Sequence, residues 1–178
     1  MNIRRVVTGH DQDGNSVFLE DGPAPRAVTF DSIPGHAFVQ PWTTVADPTL
    51  EPRFDDPTLR RASLIPVQGA TSLLFVTFPP DNVMASPDFD PVAAGAECAS
   101  NLPGLAETFE VNEPGMHRTD TIDYAVVLSG EIWLELDGKQ EKVLRPNDVV
   151  IQNGTRHAWR NKSSSPATVI FFMVGAQR

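Results

Sequence analysis

The chain has a single cysteine, Cys98, among its 178 residues. That excludes an intrachain disulfide and a cysteine-built zinc site, and nothing points to an oxidising compartment. Cys98 has no helix start or basic neighbour to lower its pKa, so it reads as a buried or idle thiol. No run approaches the ~18 apolar residues of a membrane helix. The first residues, MNIRRVVTGHDQDG, have no apolar core for a secretory signal. Basic charge is scarce as well: 14 Lys and Arg stand against 23 Asp and Glu, a formal net charge of −9. Nucleic acid and anionic membranes select basic surfaces, so neither is an expected partner. The expectation is a cytoplasmic protein whose acidity keeps it in solution.

What the chain does have is proline and glycine, 16 and 12 of them, which suits short strands and many turns. A length of 178 residues is one ordinary domain, large enough to bury a real core. Residues 3 to 8 and 16 to 20 read as two strands around a turn at 10 to 15. AVTF at 27 to 30 reads as a short strand, and the proline-rich stretch from Asp31 to Arg61 as an extended arm. TSLLFVTFPP, 71 to 80, is the first strong strand, stopped hard by Pro79-Pro80. Residues 1–70 are thus expected to pack as strands and arm on a barrel formed by 71–178. Within the barrel, 81–113 is an insert. There Asp90 as N-cap and Pro91 in the first turn predict one short helix ending near Asn101, serving as a lid, a dimer contact or an end plug.

The last third alternates. Residues 124–128, 131–136, 142–144, 149–152, 158–160 and 168–174 are candidate strands, with turns at Ser129-Gly130, Asp137-Gly138 and Pro146-Asn147-Asp148. Short connections imply an antiparallel system, and closure into a barrel or jelly roll would remove its edges. If His117 points inward, period-two alternation sends Thr119, Thr121, Asp123, Ala125 and Val127 to the same face, and Tyr124 outward. His157 lies on another strand, which closure could bring alongside. Two imidazoles and a carboxylate suit a divalent metal that keeps positions open for substrate. Without metal, Asp123 and His117 would make an acid–base pair. His10 and His36 sit in turn-like settings and read as surface residues.

The two glycine-punctuated stretches, Pro114 to Gly138 and Leu144 to Asn161, resemble the paired motifs of the cupin superfamily, small jelly-roll β-barrels. His117, Asp123 and Gly130 match the second histidine, the carboxylate and the closing glycine of the first motif. Asn147-Asp148, Gly154, His157 and Asn161 match the second. Gly115 stands where many metal cupins have another histidine, and Asp123 where they have glutamate. Gly115 would face inward and leave a gap open to substrate or water. With no second copy of either motif, the resemblance is to a single-domain, all-β monocupin. It implies a small-molecule enzyme holding Fe, Mn, Ni or Zn at His117, Asp123 and His157, of dioxygenase or lyase/isomerase type, acting on a small oxygenated compound such as a carboxylic acid or phenolic. The alternatives are a metal-free epimerase, dehydratase or cyclase, and a non-catalytic ligand-binding cupin. Asn161 and Asp148 are expected to be structural. The arm and open sheet edges suggest a homodimer.

Overall fold

The computed structural model describes residues 1–50, 55–60 and 62–178. The alternating stretches form strands, and every ladder between them is antiparallel. β1 (Arg4–His10) and β2 (Ser16–Pro23) form a hairpin of their own. Asp11 organises its turn by accepting from the backbone N–H groups of Asp13 and Asn15 at 2.9 and 2.8 Å.

The main sheet has six strands. β3 (Arg26–Thr29) is followed by β4 (Ala37–Thr44), β5 (Thr71–Phe78) and β6 (Thr121–Ser129), and later by β9 (Val149–Asn153) and β11 (Ala167–Gly175). Their spatial order is β3-β4-β5-β11-β6-β9, so the last strand returns to the middle. β7 (Ile132–Leu136), β8 (Gln140–Leu144) and β10 (His157–Arg160) form the second sheet in the order β10-β7-β8. This is a jelly-roll β-barrel.

The inner faces make one core. Leu74 of β5, Ala125 and Val127 of β6, and Val169, Phe171 and Met173 of β11 meet Ile132 of β7, with Leu64 and Leu102 from the connections. Burying each of the larger side chains contributes about 1.5–3 kcal/mol. Burial alternates along the strand that leads from His117: Thr119, Thr121, Asp123, Ala125 and Val127 are inside, while Asp120, Ile122 and Tyr124 are outside. Likewise Phe171 is buried and Phe172 is exposed. Gly130 ends β6 with φ of +75°, and a Cβ there would lie 2.5 Å from the Pro166 carbonyl oxygen. No other residue fits that turn.

The helix α1 (Pro91–Asn101) starts as its sequence predicts: the Asp90 carboxylate accepts from the N–H groups of Val92 and Ala93 at 2.9 and 3.1 Å. Leu102, just past its end, is buried in the core and docks the insert on the barrel. Glu97 on the helix accepts from the N–H groups of Asp31 and Ser32, both at 2.8 Å. Among the described residues no helix is long and apolar enough to cross a membrane.

Two expectations are corrected. The stretch 31–61 is not simply an arm, because β4 lies in the main sheet, buried along nearly its whole length and paired to both β3 and β5. Pro41 hid it from the pattern. The register shifts between Val39 and Trp42, so proline sits in a bulge where no ladder N–H is needed. Residues 51–54 and 61 of that stretch lie outside the described residues. His36 is not a surface residue either. Its ring packs 4.5 Å from Phe30 and 6.0 Å from Phe78, its Nδ1 bonds the Thr77 carbonyl at 2.9 Å, and burial lowers its pKa.

Candidate functional site

His117 and His157 form an isolated antiparallel bridge between the segment entering β6 and the start of β10. Each backbone N–H donates to the other residue's carbonyl, at 2.9 and 3.0 Å. Residues exchanging both hydrogen bonds project their side chains to the same side. The two rings therefore meet, with centroids 4.3 Å apart. Chain closure thus brings together residues 40 positions apart in a way that neither strand alone could specify.

Both rings are anchored alike. His117 Nδ1 bonds the Gly115 carbonyl at 3.0 Å, and His157 Nδ1 bonds the Thr155 carbonyl at 2.9 Å. A carbonyl accepts only from an N–H, so Nδ1 carries the proton and Nε2 keeps its lone pair. Burial lowers the pKa of both histidines; for His157, with added repulsion from His117, it falls to about 4. Two neutral imidazoles, each presenting an Nε2 acceptor, result.

Asp123 lies on the inner face of β6, opposite Gln152 of β9, and is 4% exposed. Its Oδ1 is buried with no hydrogen-bond partner. Desolvation raises its pKa to about 6, against the Thr121 hydroxyl, which supports the ionised form. Gln152 turns its amide away to the Thr155 carbonyl at 3.2 Å and to the Thr155 hydroxyl. An unpartnered buried carboxylate oxygen is costly to keep, and such an atom asks for a proton or a ligand.

The structure brings the two histidines together. Among the described residues no three His, Cys, Asp or Glu side chains are gathered closely enough to close around an ion. The donor set nonetheless suits a divalent metal. Both imidazoles are held through Nδ1, the arrangement that orients metal-ligating histidines, and Asp123 Oδ1 is uncommitted.

Gly115 does not open a gap. The Arg160 guanidinium fills that space, with Nη1 2.9 Å from where a Cβ would stand, held by Glu135 at 2.7 Å and by the Pro114 carbonyl at 2.7 Å.

Three neighbours complete the surroundings of the pair. Phe109, from the 81–113 insert, stands edge-on to His117 at 4.9 Å, and Trp159 stands edge-on to His157 at 6.2 Å. Glu110 chelates Arg156 through both oxygens at 2.6 Å, while Glu113 and Asp137 take its remaining donors at 2.7 and 2.8 Å. The carboxylate acting on His117 is Glu110. No local signal in the sequence marked Glu110, because its contact with Arg156 spans 46 residues and has no local period.

The Cupin domain profile (Cupin_2) matches residues 107–173, a span that contains His117, Asp123, His157 and Phe109. Over 48 residues the chain is 56% identical to Phomopsin biosynthesis cluster protein C' of Diaporthe leptostromiformis, covering 27% of this chain and 25% of that protein. Over 53 residues it is 45% identical to Oryzines biosynthesis cluster protein J of Aspergillus oryzae, covering 30% of each. The chain thus matches about a quarter to a third of the length of these two relatives. The likeness to the Cupin-domain-containing oxidoreductase srdB of Neurospora crassa is lower but nearly end to end: 25% over 177 residues, covering 96% of this chain and 72% of that protein. The paired motifs and the jelly-roll barrel agree with the profile match, and residues 107–173 carry a cupin domain.

Proposed function

We propose that this chain is a small-molecule enzyme of the oxidoreductase type, with His117, His157 and Asp123 as its reacting centre. The observation that carries the reading is the pair of Nδ1-anchored, neutral imidazoles, whose Nε2 atoms are uncommitted. The oxidoreductase class draws on the Neurospora crassa relative, which aligns over 96% of this chain. Relatives named for biosynthesis clusters support a small organic substrate.

His117 and His157 would hold a divalent ion through Nε2, with Asp123 Oδ1 as the third donor. Such an ion supplies Lewis acidity and redox capacity toward an oxygenated substrate. The backbone bridge fixes both rings before anything binds, which lowers the ordering cost of the site. Phe109 and Trp159 flank the pair with aromatic edges and favour a partly apolar, planar substrate. The Glu110–Arg156 pair ties the residue next to Phe109 to the segment that leads into His157.

A metal-free reading draws on the buried, unpartnered oxygen of Asp123. There Asp123, titrating near 6, would exchange a proton with substrate while a neutral imidazole accepts one. A screen separates the two readings. Phenolic and carboxylic acids are ranked by thermal shift, and binders are then assayed for oxygen uptake and product with and without chelator. The metal-dependent reading expects turnover that chelator and His117→Ala both abolish. Turnover indifferent to chelator but lost in Asp123→Asn would establish the acid–base reading instead. Binding without turnover would refute both.

A further inference from the structure

The interior of the barrel turns polar along one row of the main sheet. Thr43, Ser72, Met173, Asp123 and Gln152 are successive register partners across β4, β5, β11, β6 and β9, and none is more than 5% exposed. The next row, Leu74, Phe171 and Ala125, is apolar. Burying a polar side chain costs stability unless it is bonded, so the bonds along this row are informative. Thr43 donates to the Thr71 carbonyl at 2.6 Å, and Gln152 to the Thr155 carbonyl at 3.2 Å. Ser72 is bonded on one side only. Gln40, 1% exposed, donates from Nε2 to Ser72 Oγ at 2.8 Å and accepts at Oε1 from Arg26 Nη1 at 3.0 Å. Arg26 is itself fixed by the Thr58 carbonyl at 3.3 Å. A hydroxyl that accepts still has its own proton to give, and an amide nitrogen has two. Among the described residues, neither the Ser72 O–H nor the second N–H of Gln40 meets an acceptor.

We infer that Ser72 and Gln40 form a subsite for a substrate carboxylate, orienting the substrate against Asp123 from two strands away. The subsite deepens the reaction proposed above and rests on it for the role of Asp123. Complementarity selects the ligand. Donors stand uncommitted on β4 and β5, and an acceptor, Asp123 Oδ1, on β6. The molecule that satisfies both has an acceptor oxygen at one end and a donor at the other. A carboxylate suits the first end better than a neutral carbonyl, because the Arg26 guanidinium stands behind Gln40 and polarises the relay toward negative charge. Adjacent strands lie ~4.8 Å apart, so the backbones at Ser72 and Asp123 are separated by roughly 10 Å, a gap that one substituted ring bridges. Met173 lies between them, and its unbranched thioether chain re-packs readily around a guest. The substrate class that fits is a single-ring hydroxy acid, its carboxylate on Ser72 and Gln40 and its hydroxyl toward Asp123.

Calorimetric titration of the full chain with two probes tests it. Para-hydroxybenzoate carries both poles, while para-cresol keeps the ring and the donor and lacks the carboxylate. The wild type is expected to bind the acid roughly tenfold or more tightly than the cresol, since a site built to bond a group rejects the analogue lacking it. Ser72→Ala is expected to erase that preference by weakening the acid alone. The wild-type preference is read without any substitution, so a folding defect cannot mask it. The titration needs no turnover, which separates its failure from that of the oxygen-uptake screen, and in His117→Ala the preference is expected to persist. A wild type that binds both probes equally, or neither at millimolar concentration, would overturn the inference. So would a preference retained in Ser72→Ala, an equal loss of both probes there, or a preference lost in His117→Ala.

Discussion

Asp123 and His157 are both buried but titrate in opposite directions, and each shift has a consequence for stability. Asp123 is raised from 3.8 to about 6 by burial, so folding favours its protonated form. Stability from this group is full below 3.8 and is lost as pH rises through 6, to a limit of about 3 kcal/mol. Asp123→Asn keeps the shape and removes the charge. In metal-free protein at pH 8 it is expected to raise urea stability by about 2–3 kcal/mol, with no gain at pH 4. Equal stability of variant and wild type at pH 8 would contradict the burial argument. His157 runs the other way: its pKa is lowered from 6.5 to about 4, so its contribution is full above 6.5 and lost as pH falls toward 4. Between pH 7 and pH 5 the native state is expected to lose about 2 kcal/mol on its account, and His157→Gln to lose less. At this scale His117 and Asp123 were legible because a strand repeats every two residues. Phe109 and Glu110 were not, because their contacts with His117 and Arg156 depend on how the insert docks. His36 misled for a related reason: a Pro-Gly setting describes the backbone and leaves open what Phe30 and Phe78 do to the ring.

Elements are held to one another by a few buried polar groups, of which Asn161 is the clearest. It follows β10 and is 1% exposed; its amide donates to the carbonyls of Phe78 at 2.9 Å and Ser165 at 2.8 Å, and its oxygen accepts from Ser163. Its backbone exchanges bonds with Asp81. One side chain thus ties the end of β10 to the end of β5 and to the turn before β11. Asn161→Ala would leave two buried carbonyls unpaired and is expected to destabilise the protein by about 2–4 kcal/mol in chemical denaturation. The helix is less critical. Asp90→Ala removes a cap on a surface element and is expected to cost about 1 kcal/mol without changing the barrel. The cap and the hairpins were legible from local chemistry, and Asp148, which accepts from the Arg145 N–H at 2.8 Å, organises its turn as read. β4 was not, since a strand broken by a proline-bearing bulge has lost the alternation that marks it.

For the molecule as a whole, the last third carried the architecture: its turns and alternation implied an antiparallel closed sheet, and the paired motifs narrowed that to a cupin jelly roll. The strand order, with β11 between β5 and β6, was beyond reach, since it depends on which edges meet at closure. The same closure makes the His117–His157 bridge, so barrel and site stand or fall together. The most direct measurement of the central claim is metal content by plasma mass spectrometry on untagged protein, beside His157→Ala. The account predicts close to one divalent ion per chain, lost in the variant while its spectrum and melting stay cooperative. No bound metal after reconstitution with iron, manganese, nickel and zinc, or metal retained in His157→Ala, would contradict it.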